Sequence, residues 1–156
     1  IWSARRFCDR YGIAAHIHAG DRAMLRDPIR GVGPRAAQRL VGALFNEPKH
    51  VVELADGDRL ELAGIPLTVD HTPGHTPGSV SFRLPGAADR DVVFTGDTLF
   101  SGTVGRTDLG GGSGNHLLGS IISKLLVLDD DTVVLPGHGD PTTIGRERRT
   151  NPFLQP

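Results

Sequence analysis

The sequence predicts a single α/β domain, and three observations support this prediction. The chain has 156 residues, which is the size of one ordinary domain. Short segments of alternating apolar residues, typical of strands, are interleaved with segments of helical spacing. No internal repeat, low-complexity tract or linker divides the chain. Because a domain of this length buries about 70% of the surface that its unfolded chain exposes, it needs neither a disulfide nor a metal to fold.

The first third of the chain predicts a helix, a strand and further helical turns. A helix from Ser3, its cap, to Tyr11 opens the chain, and Gly12 stands where such a helix ends. Alternating residues over 13–18 predict a short strand, which is followed by a helical turn that Pro28 closes. A helix from Arg35 to Phe45 is predicted next, without an apolar period that would fix its buried face.

The middle of the chain predicts a β meander that begins at Val51. Its turns are predicted where Gly or Pro interrupts the apolar alternation, at Asp56-Gly57, Gly64 and Pro85-Gly86. The strands between these turns include Ile65–Val69, Ser79–Leu84 and Asp91–Thr95.

The last third predicts one more helix and one more strand. Either Ser113 or Asn115 is placed to cap the helix. An apolar stripe at helical spacing marks its buried face, formed by Leu117, Ile121, Leu125 and Leu128. The strand covers Thr132 to Leu135. Helices and strands therefore alternate along the chain, as the α/β class requires.

Charge and cysteine content exclude several classes of protein. With 17 basic and 18 acidic residues the formal net charge is −1, which argues against a surface that binds nucleic acid or an anionic membrane. The apolar runs are far shorter than the roughly 20 residues that span a bilayer. Cys8 is the single cysteine, so no intrachain disulfide can form, and a cytoplasmic location is expected. The partners that remain are small molecules and other proteins.

One local pattern occurs three times: a strand, a turn with Gly or Pro, and then a residue that can bind a metal. The three segments are Leu67–His75, Val92–Asp97 and Val133–His138. Strands of one sheet can bring their ends to a common edge, so two histidines and one aspartate are expected to converge there. Glycine allows close approach of the backbone and proline fixes its direction, and both favour the rigidity that a metal site needs.

Together these segments resemble the metallo-β-lactamase superfamily, in particular its glyoxalase II-like branch. The motifs that carry the resemblance are His71-Thr72-Pro73-Gly74-His75-Thr76-Pro77-Gly78-Ser79, Phe94-Thr95-Gly96-Asp97-Thr98-Leu99-Phe100, Gly105-Arg106-Thr107-Asp108 and Pro136-Gly137-His138-Gly139. The resemblance covers about residues 10 to 153. It implies an αββα sandwich that lacks its N-terminal strands, with residues 1–156 forming the larger, C-terminal part of one such domain.

The resemblance also implies a metal centre with two divalent ions, zinc first, with iron or manganese as alternatives. In it His75 is similar to a ligand of the first metal, Asp97 to the catalytic carboxylate that bridges both metals, and His138 to a ligand of the second. The family's His-x-His-x-Asp-His motif is absent from the chain, which is therefore expected to lack an N-terminal segment. The run His16 to Asp21 departs from that motif at Gly20 and Asp21, so we expect a structural role for it.

Two residues beside the expected site are interpreted separately. His71 precedes His75 in the same motif and is expected to pack or to support the ligand rather than bind metal. Arg106 has two interpretations that stay open: it contacts an anionic substrate, or it holds its loop by pairing with Asp108. The glycine run at 110–114 is not followed by Lys-Ser or Lys-Thr, so it is not a phosphate-binding P-loop.

For the activity, the resemblance implies hydrolysis of a thioester, as in hydroxyacylglutathione hydrolases, by a hydroxide that bridges the two metals. A thioester suits this chemistry because thiolate leaves without a strong general acid. Two alternatives remain. A persulfide dioxygenase-like enzyme would use one iron with His75 and Asp97 and would spare His138. A non-catalytic domain would keep the fold without the first motif.

Overall fold

The computed structural model describes residues 3–25, 47–87, 89–108 and 111–155. Its strands are β1 (Ala15–His18), β2 (Val51–Leu54), β3 (Arg59–Leu62), β4 (Ile65–His71), β5 (Val80–Ala87), β6 (Arg90–Gly96), β7 (Leu99–Phe100), β8 (Thr103–Val104), β9 (Val133–Pro136) and β10 (Thr142–Thr143). Its helices are α1 (Ala4–Tyr11), a 3₁₀ helix (Ala19–Leu25), α2 (Gly114–Ser120), a π-helical turn (Ile121–Leu125) and α3 (Ile144–Thr150). The predicted α/β class is confirmed.

Six strands form the main sheet, in the order β10-β9-β6-β5-β4-β3. Strands β3 to β6 are antiparallel neighbours, whereas β6 and β9 pair in parallel. It follows that β4, β6 and β9 all run in the same direction and end at the same edge. This edge is where the three predicted metal-binding residues leave the sheet.

The N-terminal helix forms over the predicted residues and ends at Gly12, which has a left-handed φ of 65°. Ser3 occupies the capping position, but its side chain makes no capping hydrogen bond, so that part of the prediction is wrong. The predicted strand at 13–18 is shorter and begins at Ala15. Pro28 and the helix predicted from Arg35 to Phe45 lie outside the described residues.

The predicted meander is correct for β3 to β6 and wrong for β2. Strand β2 pairs in parallel with β1 and not with β3, so Asp56-Gly57 does not close a hairpin. The turn itself exists: the Asp58 carboxylate accepts from the Ala55 N–H at 2.7 Å. The Asp56 carboxylate accepts from the His71 N–H at 2.8 Å, which binds the turn to β4.

The turn predicted at Pro85-Gly86 lies later in the chain. Strand β5 continues through both residues to Ala87, and its register with β6 shifts between Leu84 and Ala87. Proline donates no hydrogen bond, and Gly86 has a φ of 67°, so the pair forms a bulge inside the strand.

The apolar stripe of α2 and the π-helical turn packs on the main sheet. Ser113 caps α2, since its hydroxyl accepts from the His116 N–H at 3.4 Å, and the structure thereby decides between the two predicted caps. The helix changes to a π-helical turn at Ile121. The buried cluster contains Val93, Leu99, Leu117, Ile121, Leu125, Val134 and Ile144. This core fixes the strands whose ends carry the candidate site.

Within the described part of the chain, no helix has the length and apolar character needed to cross a lipid bilayer. The single cysteine, Cys8, is buried and carries a free thiol.

Candidate metal centre

Three loops at one edge of the main sheet carry the candidate ligands. His75 follows β4, Asp97 follows β6 directly, and His138 follows β9. The shared direction of these strands brings together three residues that are far apart in sequence. The structure therefore places His75, Asp97 and His138 side by side.

Asp97 lies between the two imidazole rings and presents a different oxygen to each. The distance from His75 Nε2 to Asp97 Oδ2 is 3.5 Å, and that from His138 Nε2 to Asp97 Oδ1 is 3.8 Å. One way for a carboxylate to bridge two cations is to offer one oxygen to each of them. The arrangement of these side chains has that property.

A hydrogen bond on the far side of its ring fixes the His75 imidazole. His75 Nδ1 lies 2.8 Å from the carbonyl oxygen of Arg106, and because a carbonyl only accepts, the ring nitrogen carries the proton and donates. The other nitrogen, Nε2, faces Asp97. An imidazole whose Nδ1 donates to a backbone carbonyl is typical of metal-ligating histidines.

Two glycines allow the backbone to approach Asp97 closely. A Cβ atom at Gly137 would lie 2.7 Å from Asp97 Oδ1, and one at Gly105 would overlap the Asp97 carbonyl oxygen. Any side chain at either position would therefore displace Asp97. This requirement explains why each of the two motifs has glycine at this point.

His138 is the most exposed of the three residues, with 74% of its side chain accessible. Its ring lies 4.6 Å from that of Phe100 at an interplanar angle of 34°. Phe100 is buried, so it provides a fixed surface against which the exposed imidazole is held. This role of Phe100 was not predicted from the sequence.

The three side chains open into a cavity of about 420 Å³. Its apolar wall contains Phe100 and Val104, and Arg106 lies at its rim. The Arg106 guanidinium donates two hydrogen bonds of 2.7 Å to the Asp108 carboxylate. These bonds lower the pKa of Asp108 to about 2 and raise that of Arg106. The loop-holding contact of Arg106 is therefore present, and the residue also lines the cavity.

The donor set fits a divalent metal of intermediate softness, since imidazole nitrogen and carboxylate oxygen suit zinc, iron and manganese. The set is nevertheless partial. Within residues 3–25, 47–87, 89–108 and 111–155, no group of three or more His, Cys, Asp and Glu side chains forms a metal site by itself. Any metal held by these three side chains would need further donors to complete its coordination.

The run from His16 to Asp21 contacts the loop of His75 and not the cavity. The His18 ring stacks on that of His71, with centroids 3.8 Å apart. The ring N–H of His71 donates to the Pro77 carbonyl oxygen at 2.9 Å, so His71 packs beside the His75 loop. Burial lowers the pKa of His18, and the neighbouring His71 lowers it further. The sequence did not predict that this run would support the His75 loop, because the two segments are far apart in the chain.

Residues 1–138 match the model of the metallo-beta-lactamase superfamily. The chain is 62% identical over 158 residues to the uncharacterized protein Rv2581c of Mycobacterium tuberculosis, which covers 99% of this chain and 70% of that protein. It is 48% identical over 99 residues to the hydroxyacylglutathione hydrolase GloC of Haemophilus influenzae, over 64% of this chain and 45% of that protein.

Solved structures show the same fold. TTHA1623, determined in a di-iron-bound form, superposes with a TM-score of 0.75 at 37% identity and covers 97% of this chain and 70% of its own. ETHE1 from Myxococcus xanthus has a TM-score of 0.60 at 36% identity, over 67% of this chain and 46% of its own. The fold of the described residues is therefore that of metallo-beta-lactamase proteins.

Proposed function

The chain belongs to the metallo-beta-lactamase superfamily of metal-dependent hydrolases, and from that premise we propose that it hydrolyses a thioester of the hydroxyacyl-thiol class. The observation that carries the proposal is a single carboxylate, Asp97, set between two imidazoles that face its separate oxygens. We propose His75 and Asp97 as ligands of one metal and Asp97 and His138 as ligands of a second. The likeness to the hydrolase GloC supports the thioester as substrate.

Two divalent ions bound by these residues would activate water and stabilise the negative charge that develops on the substrate carbonyl. Zinc is our first choice for these ions, since imidazole and carboxylate suit it, and the di-iron form of TTHA1623 supports iron as the alternative. Residues 1–156 are proposed to act as the larger part of one domain. Cys8, which is single and free, supports a cytoplasmic location.

The chain's own residues would orient the substrate. The apolar wall of Phe100 and Val104 offers a surface for the acyl or thiol chain. Arg106 would bind an anionic group of the substrate, and its guanidinium would then hydrogen-bond to both that group and the Asp108 carboxylate. The Asp97 side chain is 39% exposed and lines the cavity, so its carboxylate would hold the ions that orient the attacking water. No strong general acid is required because a thiolate is a good leaving group.

A persulfide dioxygenase-like activity is the second candidate, favoured by the likeness to ETHE1 and by the Gly-Arg-Thr-Asp turn at 105–108. One iron held by His75 and Asp97 would then leave His138 without a metal role. Only the hydrolase proposal gives His138 a metal role, so replacing this residue separates the two functions.

Metal content of the full-length natural protein, purified without added metal, tests the proposal. We expect about two ions per chain, and about one in His138→Ala. His116→Ala is the matched control because His116 is an exposed histidine at the start of α2, and it should keep the natural content. One iron per chain that survives His138→Ala would favour the dioxygenase, and assays with a hydroxyacyl thioester and with a persulfide would confirm the choice. Absence of metal would indicate a non-catalytic domain.

A further inference from the structure

A buried carboxylate of the 3₁₀ helix contacts the loop that carries His75. Asp21 is 9% exposed. Its Oδ2 accepts from the Thr76 hydroxyl at 2.5 Å, and its Oδ1 accepts from the Gly78 N–H at 2.8 Å. One carboxylate therefore holds two points of the loop immediately after His75.

The contact brings Asp21 directly against the backbone of the loop. A Cβ atom at Gly78 would lie 2.6 Å from the Asp21 nitrogen and 2.7 Å from its Cγ, so no other residue fits at Gly78 without moving Asp21. The stacked rings of His18 and His71 add a second contact between the same two segments. The 3₁₀ helix and the His75 loop are thus packed as one unit.

Other contacts also hold this loop, and Asp21 is the acceptor that binds its Gly78 N–H. The loop closes on itself through Gly74 N–H to the Thr76 carbonyl at 3.0 Å and through Thr76 N–H to the Ser79 hydroxyl at 3.0 Å. Without the Asp21 carboxylate, the buried Gly78 N–H would lose its acceptor, and the part-buried Thr76 hydroxyl would keep the Ser79 hydroxyl, 2.7 Å away. Loss of a buried partner is costly, and the backbone would rearrange to find a new one.

We propose that Asp21 is a positioning residue for the metal centre: by holding Thr76 and Gly78 it sets the place and orientation of the His75 imidazole. The inference rests on the proposed role of His75 as a metal ligand. It gives the run from His16 to Asp21, which departs from the family's metal-binding motif, a function in the site without metal contact. Partners that orient a ligand are typically worth ten- to hundredfold in metal affinity.

The test compares Asp21→Ala and Asp21→Asn with a matched control in the full-length protein. Asp70→Asn is that control, because Asp70 is also a buried carboxylate and accepts from the Arg83 guanidinium at 2.6 and 3.0 Å, within β4 and β5. The Zn²⁺ dissociation constant is measured by competition with a chelator. The ¹⁵N shifts of the His75 ring, which report its tautomer and its bond to Arg106, are measured in the metal-free protein. Circular dichroism checks the fold.

We expect Asp21→Ala to raise the Zn²⁺ dissociation constant about tenfold or more and to shift the His75 ring signals. Asp21→Asn keeps an acceptor for Gly78 and should show a smaller change of the same sign, which also covers the case in which the alanine variant does not fold. Asp70→Asn should leave both readouts as in the natural protein. Unchanged affinity and unchanged His75 signals in both Asp21 variants would overturn the inference. A natural protein that binds no Zn²⁺ would instead refute the ligand role of His75, and the ring signals would still decide the role of Asp21.

Discussion

Replacing Gly137 by alanine is expected to weaken metal binding without unfolding the protein. The new Cβ would lie 2.7 Å from Asp97 Oδ1, about 0.7 Å closer than the 3.4 Å at which ordinary van der Waals contact begins. The φ of Gly137 lies outside the left-handed range, so its backbone accepts an alanine. The Gly96 backbone lies 3.3 Å from the new Cβ, which is only slightly tight, so the main clash falls on the Asp97 side chain.

The loss of metal affinity in Gly137→Ala depends on how far the Asp97 side chain moves away from the new methyl group. Asp97 is 39% exposed, so its carboxylate can rotate away from the new methyl group at little cost to the fold. Its Oδ1 would then be displaced by about 0.7 Å, whereas metal–ligand distances are held to within about 0.2 Å. We expect the metal dissociation constant to rise about ten- to hundredfold, or about 1.4 to 2.7 kcal/mol.

Zn²⁺ titration against a competing chelator measures this change, and urea denaturation of the metal-free protein measures the stability of the fold. Gly119→Ala is the control, since Gly119 lies exposed in α2 with no atom within 4 Å of a new Cβ. That variant should bind Zn²⁺ normally and gain about 0.5 to 1 kcal/mol in the free energy of unfolding. If Gly137→Ala binds Zn²⁺ as tightly as the natural protein, the reasoning about Asp97 is wrong.

Three further results are expected. Leu125→Ala removes a fully buried side chain and should lower the free energy of unfolding, measured by urea denaturation, by about 2 to 5 kcal/mol. Ile122→Ala, at a position that is 58% exposed, should change it by less than about 0.5 kcal/mol. Equal losses in the two variants would contradict the assigned core. Arg106→Gln should return the pKa of Asp108 from about 2 towards its usual 3.8 in a carboxyl NMR titration. In the natural protein the pair stabilises the fold above pH 3.8, and this stabilisation is lost as the pH falls towards 2. The variant should lack this pH-dependent stabilisation. Asp97→Asn should lose bound metal in elemental analysis with its circular dichroism unchanged, and full metal retention would argue against the ligand role.

The elements that the sequence predicted well are those with strong local signals. The strands of the antiparallel meander show alternating residues. The segment of α2 and the π-helical turn shows an apolar stripe, and Leu117, Ile121 and Leu125 are buried as expected. The strand–turn–ligand pattern led to the residues that the structure places together at the sheet edge. Their role as metal ligands stays a prediction.

The features that were missed depend on contacts between distant segments. Nothing near β2 shows that it pairs with β1, because the turn at Asp56-Gly57 has the composition of a hairpin whichever way the next strand runs. The same holds for Asp21, whose partners Thr76 and Gly78 lie more than fifty residues away. A glycine after proline predicts a turn, but it does not indicate which carboxylate will accept a hydrogen bond from that turn.

The parallel pairing of β6 with β9 has a consequence for the order in which the protein is made and folded. Parallel neighbours need a long crossover, and here it contains α2 and the π-helical turn. His138 can therefore join Asp97 only after the crossover has been synthesised, and closure of a long crossover lowers the rate of folding. A nascent chain that has released only His75 and Asp97 from the ribosome cannot yet bring all three candidate ligands together. If these residues bind metal as proposed, metal binding would report a finished tertiary structure and would stabilise the native state by mass action.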